Sequence, residues 1–134
     1  ASGNGIGELK VISGCGIDLV EISRIELALE RFGPRFLDRV FTSAERAYCL
    51  ARKRPAESLA ARFAAKEAVA KALGLGLGRF GWQDIEIVRP DNGRPQVRLK
   101  GAALDQAEVL GIGQMLISLS HTHEYAVAQA VVVA

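Results

Sequence analysis

The sequence predicts one α+β domain: a mainly antiparallel sheet with a long central helix. Three observations carry this. At 134 residues the chain can bury one hydrophobic core, while two separate halves would each be too small to be stable. Period-two and period-3.6 patterns follow one another without the strict alternation of a parallel-sheet protein. The alanine-rich run 57–73 has strong helix propensity and is closed by Gly74 as a C-cap.

In chain order, 10–19 reads as a strand with Val11, Cys15, Ile17 and Leu19 on one face. The other face holds Ile12, Gly14, Gly16 and Asp18, and its two glycines suit close approach of a ligand or another backbone. Ile22, Ile25, Leu29 and Phe32 keep helical spacing until Gly33-Pro34 stops it, with Arg24 and Arg31 two turns apart on the outer side. A short helix over 35–41 follows. Thr42-Ser43-Ala44-Glu45 is a capping box for a helix reaching about Arg52, ended by Pro55. Beyond the 57–73 helix, a glycine-rich loop from Gly74 to Gly81 leads to a strand over 84–89. Asp91-Asn92-Gly93 is a hairpin turn into a second strand over 96–99. A helix over 101–110 is expected to turn Leu104, Ala107 and Leu110 inward. Strands over 114–120 and 124–133 are joined by a tight turn at His121-Thr122-His123. The last strand is apolar on both faces, which predicts a central or interface position. Residues 1–10 read as a flexible tail and 11–134 as the single domain.

A net charge of +2 gives no argument for nucleic acid, but its distribution is uneven. Residues 24–54 carry +4, and the rest of the chain sums to −2. A localised basic surface attracts an acidic partner or phosphate groups. Cys15 and Cys49 lack metal-ligand spacing and read as reduced thiols of a cytoplasmic protein. No apolar stretch of signal-peptide or membrane-spanning length is seen, so no membrane is expected.

The chemistry centres on Arg62-Phe-Ala-Ala-Lys66-Glu67-Ala-Val-Ala-Lys71. Helical geometry puts Phe63, Glu67 and Lys71 on one face, each a turn from the next. Alone, Glu67 and Lys71 are an ordinary surface pair worth about 0.3 kcal/mol. Their neighbours shift the balance: Asp18 on a glycine-stripped strand, a glycine-rich loop after the helix, and Ser118-x-Ser120-His121-Thr122 at the end of another strand. Two carboxylates, several cations and hydroxyls from separate elements are what a magnesium-bound phosphate site requires, with Asp18 and Glu67 as the metal ligands. Lys71, Lys66 and Arg62 would offset phosphate charge. Zinc fails for want of a suitable Cys/His set, and a serine hydrolase for want of a nucleophile elbow. The glycine loop matches neither a P-loop nor a dinucleotide fingerprint.

Five blocks in order, Gly14-Cys-Gly-Ile-Asp18-Leu-Val-Glu-Ile-Ser-Arg24, Arg62 to Lys71, Trp82-Gln-Asp84, Asn92-Gly-Arg-Pro95 and Ser118-Leu-Ser-His121-Thr122, give the chain a likeness to a known family. It resembles the holo-acyl-carrier-protein synthases, the short-type 4′-phosphopantetheinyl transferases, from about Val11 to Val133. The resemblance implies a homotrimer with active sites at subunit interfaces. It implies transfer of phosphopantetheine from coenzyme A to a serine of apo acyl carrier protein, releasing adenosine 3′,5′-bisphosphate, in fatty acid biosynthesis. Asp18 and Glu67 would hold Mg²⁺ (Mn²⁺ as an alternative), and Lys71 would contact the pyrophosphate. Arg62, His121 and Thr122 would meet the adenosine 3′-phosphate, while Gly74 and Pro95 would line the coenzyme A groove. Arg24 and Arg31 would meet acidic residues of the carrier. Glu67 is the preferred general base, directly or through a metal-bound water; His123 receives no role. The competing readings are a non-catalytic coenzyme A or nucleotide-binding module, a magnesium-dependent phosphohydrolase, and a structural trimer.

Overall fold

The computed structural model describes residues 10–76, 78–91 and 93–134. Most of the expected tail (1–9), Leu77 of the glycine-rich loop and Asn92 of the hairpin turn lie outside the described residues. In chain order the elements are β1 (Ile12–Glu21), α1 (Ile22–Phe32), α2 (Pro34–Val40), α3 (Ser43–Leu50) and α4 (Pro55–Ala72). A 3₁₀ turn (Trp82–Asp84) then precedes β2 (Ile85–Val88), β3 (Gln96–Leu99), α5 (Gly101–Val109), β4 (Gln114–His121) and β5 (Tyr125–Val133). The described strands form a three-stranded sheet of order β1-β5-β4 and a β2-β3 hairpin, with every pairing antiparallel. The α+β prediction holds, and β5 takes the central place that its two apolar faces predicted.

The sheet's inner face is made of small residues. Gly14, Gly16 and Asp18 of β1 lie opposite Val132, Ala130 and Ala128 of β5, and α4 packs across both strands. An alanine-faced helix meets a glycine-faced strand, so the backbones come unusually close. A Cβ on Gly16 would stand 2.1 Å from the Ala68 carbonyl oxygen, and one on Gly14 would stand 2.6 Å from that of Ala72. The bare face of β1 therefore receives another backbone, one of the two occupants its glycines allowed.

The ends of α4 follow from local chemistry. Pro55 does not end the preceding helix; it opens α4 at a first-turn position that needs no N–H. At the other end Gly74 adopts φ +72°, and its N–H donates to the Lys71 carbonyl while that of Leu75 donates to Ala70. This reciprocal closure stops the helix one residue after Lys71. The capping box of α3 forms as expected, with Thr42 Oγ1 accepting from the Glu45 amide and Glu45 accepting from the Thr42 amide.

Three expectations are corrected. The first strand, expected over 10–19, runs from Ile12 to Glu21, so Asp18 stands within it with three strand residues beyond. In α5 the inward residues are Ala103 and Ala107, whereas Leu104 and Leu110 stay substantially exposed; Leu104 lies on the face turned to the open cleft between β3, α5 and β4. The His121 end of the final turn belongs to β4, so the connection is shorter than expected. No described helix is long and apolar enough to cross a membrane.

Candidate active site

The helix α4 carries two separate polar groups at different heights. At its C-terminal end Lys71 reaches back to β1, where its ammonium donates to Asp18 Oδ1 at 2.9 Å and to the Ile17 carbonyl at 3.0 Å. One turn earlier Glu67 lies half-buried against the same aspartate. Burial pushes the Glu67 carboxyl above its usual range, the Asp18 charge adds to that, and Lys71 and Arg24 oppose it. The hydrogen bond to Asp18 holds the Lys71 ammonium above its ordinary pKa, so this lysine is a fixed positive charge. Arg24 therefore acts on this site from α1, where it is exposed along with Arg31.

Asp18 Oδ2 is buried with no partner, an unmet demand in a hydrogen-bonding inventory. An orphaned carboxylate oxygen beside a second carboxylate fits a hard divalent cation such as Mg²⁺. Among the described residues no group of three or more His, Cys, Asp or Glu side chains is placed to hold a metal. Asp18 and Glu67 would supply two oxygens, leaving the other positions to water and phosphate, the usual manner of Mg²⁺.

Lys66 does not join this group. It is fully buried, ion-paired to Glu45 at 2.7 Å, and donates to the carbonyls of Trp82 (3.1 Å) and Ile85. Burial pulls its ammonium below the usual range, with Glu45 opposing. Glu45 also accepts from the Ile87 amide, so the pair ties α3, α4 and β2 together within the core. A phosphate cannot reach Lys66, and that expectation is withdrawn.

The second group lies toward the N-terminal end of α4, around an open basin of about 460 Å³. Arg62 lies over the Tyr48 ring at 4.1 Å, donates to Ser58 Oγ at 3.5 Å, and keeps a buried Nε with no partner. Arg52, Lys53, Arg54 and Arg89 also line the basin. Glu57 stands among them, within 3.3 Å of His121 Nδ1 and 3.1 Å of His123 Nδ1, and the bond from His123 pulls its pKa down. Thr122 Oγ1 accepts from the amides of Glu124 and Tyr125, fixing the turn beside His121. Five cationic side chains around one concavity make an anion site. Of the three residues that the sequence reading assigned to the 3′-phosphate, Arg62 and His121 line this basin and Thr122 does not. That reading missed Tyr48, Glu57 and Ser58, although Ser58 and Arg62 share the i, i+4 spacing that marks one helix face.

Gly74 is exposed beside the first group, at the helix end, whereas Pro95 lines a different open cleft of about 810 Å³ between β3, α5 and β4. The two polar groups are themselves apart: Glu57 and Glu67 are ten residues apart on one helix, about 15 Å along its axis.

The sequence profile of the 4′-phosphopantetheinyl transferase superfamily matches residues 14–130. A holo-[acyl-carrier-protein] synthase of Moorella thermoacetica is 62% identical over 117 residues, covering 87% of this chain and 91% of that one. The crystal structure of holo-[acyl-carrier-protein] synthase from Neisseria meningitidis is similar at TM-score 0.82 and 33% identity, covering 91% of this chain and 98% of that one. The Helicobacter pylori holo-[acyl-carrier-protein] synthase in complex with coenzyme A is similar at TM-score 0.77 and 34% identity, covering 88% and 98%.

Proposed function

The chain belongs to the 4′-phosphopantetheinyl transferase superfamily, and on that premise we propose that it is a holo-acyl-carrier-protein synthase. It moves the phosphopantetheine arm of coenzyme A to a serine of apo acyl carrier protein. The observation that carries this reading is the Asp18–Lys71–Glu67 arrangement, with its orphaned carboxylate oxygen, on a chain that also holds an anion basin.

The serine oxygen attacks the phosphorus that bears pantetheine, and the bond from that phosphorus to the bridging oxygen breaks. The electron pair leaves with adenosine 3′,5′-bisphosphate. Asp18 and Glu67 would hold Mg²⁺, or Mn²⁺ in its place, which when bound would supply charge neutralisation at the pyrophosphate. Lys71, kept protonated by Asp18, stabilises the leaving phosphate by charge rather than by giving up its proton. Glu67, with its raised pKa, is suited to take the serine proton directly or through water. Arg62 and His121 belong to the basin for the 3′-phosphate, with Thr122 fixing the turn beside it, and Gly74 and Pro95, which lie apart in one copy, would serve one coenzyme A groove only across a subunit boundary. Arg24 and Arg31 offer an acidic carrier a basic face on α1, beside Glu67.

In coenzyme A the 3′-phosphate and the pyrophosphate are separated by a single ribose, whereas one copy of this chain carries their two binding groups far apart along α4. Halves drawn from different copies, as in a homotrimer, resolve the mismatch. The unpaired thiols Cys15 and Cys49 agree with a reducing compartment such as the cytoplasm, and activation of an acyl carrier protein would place the enzyme in fatty acid biosynthesis. The test is the intact mass of apo acyl carrier protein after incubation with this protein, coenzyme A and Mg²⁺. A gain of one phosphopantetheine arm, abolished by EDTA, is expected; no gain with folded protein across several carriers would leave a binding module.

A further inference from the structure

A small cleft of about 240 Å³ opens between the end of α4 and the glycine-rich loop, against the reacting groups themselves. Glu67 and Lys71 form one side, and Ala70, Leu75, Gly76 and Phe80 form the others. We propose that this cleft seats the geminal dimethyl group of the pantoyl unit, making Leu75 and Phe80 specificity-determining residues for the phosphopantetheine donor. The inference rests on the transferase reading.

Connectivity in the donor selects the occupant. The phosphorus to be transferred is joined through one oxygen and one methylene to a quaternary carbon bearing two methyl groups. These are the apolar atoms of coenzyme A nearest the reaction centre. The thiol lies at the far end of two amide units, and the nucleoside lies on the opposite side of the pyrophosphate. With the phosphates on Lys71 and beside Glu67, an adjoining apolar cleft is within reach of the dimethyl carbon and of little else in the donor. Its size agrees: at about 30 Å³ per liquid water, it has room for a branched five-carbon unit.

The walls are held in place. The Phe80 ring meets Trp82 edge-on at 5.3 Å, and Trp82 stacks on Phe63 at 5.0 Å. Phe63 sits one helical turn before Glu67, so the apolar wall and the carboxylate are carried by one support. Charged groups bind any nucleotide pyrophosphate, and the cleft adds the recognition they lack. Burial of the methyl groups is worth most once the phosphates are docked, because the apolar contact then costs no further ordering.

The test compares coenzyme A with an analogue in which hydrogens replace the two methyl groups, scored by mass gain of the carrier. The wild type is expected to favour coenzyme A by tenfold or more in kcat/KM, the scale on which apolar pockets discriminate. Leu75→Asn should cut that preference to about threefold by losing efficiency with coenzyme A while changing the analogue little. Leu75→Ala is a milder variant that serves if the asparagine variant does not fold. Equal use of both donors by the wild type overturns the inference alone, as does equal loss with both donors, or a change confined to the carrier's KM. Absence of transfer from either donor removes the transferase reading and this inference with it.

Discussion

Glu67 is pushed toward its neutral form by burial and by Asp18 beside it, and this has opposite consequences for activity and stability. Activity needs the ionised carboxylate, so turnover should fall as pH drops through the Glu67 pKa, and a bound divalent cation, which favours the ionised form, should move that acid limb downward as its concentration rises. For stability the native state binds the proton more tightly than the unfolded chain, so the contribution of Glu67 falls as pH rises through the same window. Glu67→Gln should therefore abolish mass transfer to the carrier while leaving the thermal midpoint at neutral pH unchanged or higher; a lowered midpoint would make Glu67 a structural residue. At this scale Asp18, Glu67, Lys71 and Arg62 were legible because their types and spacing are unusual together. Lys66 was not, since nothing in its own neighbourhood says that Glu45, twenty-one residues earlier, will be buried against it. Tyr48 was missed in part for the same reason: the nearer of the two guanidinium groups over its ring, that of Arg62, is brought there by another helix, although Arg52, four residues on, also lies over it.

Close backbone approach between β1 and α4 is what sets Asp18 beside Lys71, and it depends on the absence of two methyl groups. Gly16→Ala would drive a Cβ into the Ala68 carbonyl and against Lys71 Cβ, contacts that no rotamer change relieves. The strand must move away from the helix, costing on the order of 1–3 kcal/mol by overpacking and separating Asp18 from Lys71. Denaturant unfolding should show that loss, and transfer activity should fall by more than the folded fraction does; a variant of wild-type stability and activity would disprove the close packing. Element types were readable where a local device declares them: the Thr42–Glu45 box, Pro55 and the Gly74 closure. The inward face of α5 was misjudged because periodicity weights leucine over alanine. Here the face that packs inward carries Ala103 and Ala107, and Leu104 is turned to an open cleft, partly in solvent.

Across the whole molecule, the sheet is covered by α4 on one side only. On the other, Ile17 and Leu19 are each 62% exposed, with Leu116 at 45% and Tyr125 at 44%, an apolar face of the kind that marks an interface. The sequence placed Ile17 and Leu19 together on one face of the strand, but only the packing of α4 shows that this face is the uncovered one. If this face carries the proposed homotrimer contact, Ile17→Glu should give a smaller species than the wild type by analytical ultracentrifugation. If the two polar groups of α4 serve one coenzyme A across a subunit boundary, that species should also lose transfer activity, although every site residue is intact. Mixed subunits separate this from simple destabilisation. Glu67→Gln and Arg62→Ala should each be inactive alone, since each spoils one half of every site. Co-expressed in equal amounts they form some boundaries where an intact Glu67 from one copy faces an intact Arg62 from another. Random assembly makes that fraction about one quarter, so about a quarter of wild-type activity should return. A site built within one chain predicts no recovery at all, because every chain then carries one of the two lesions.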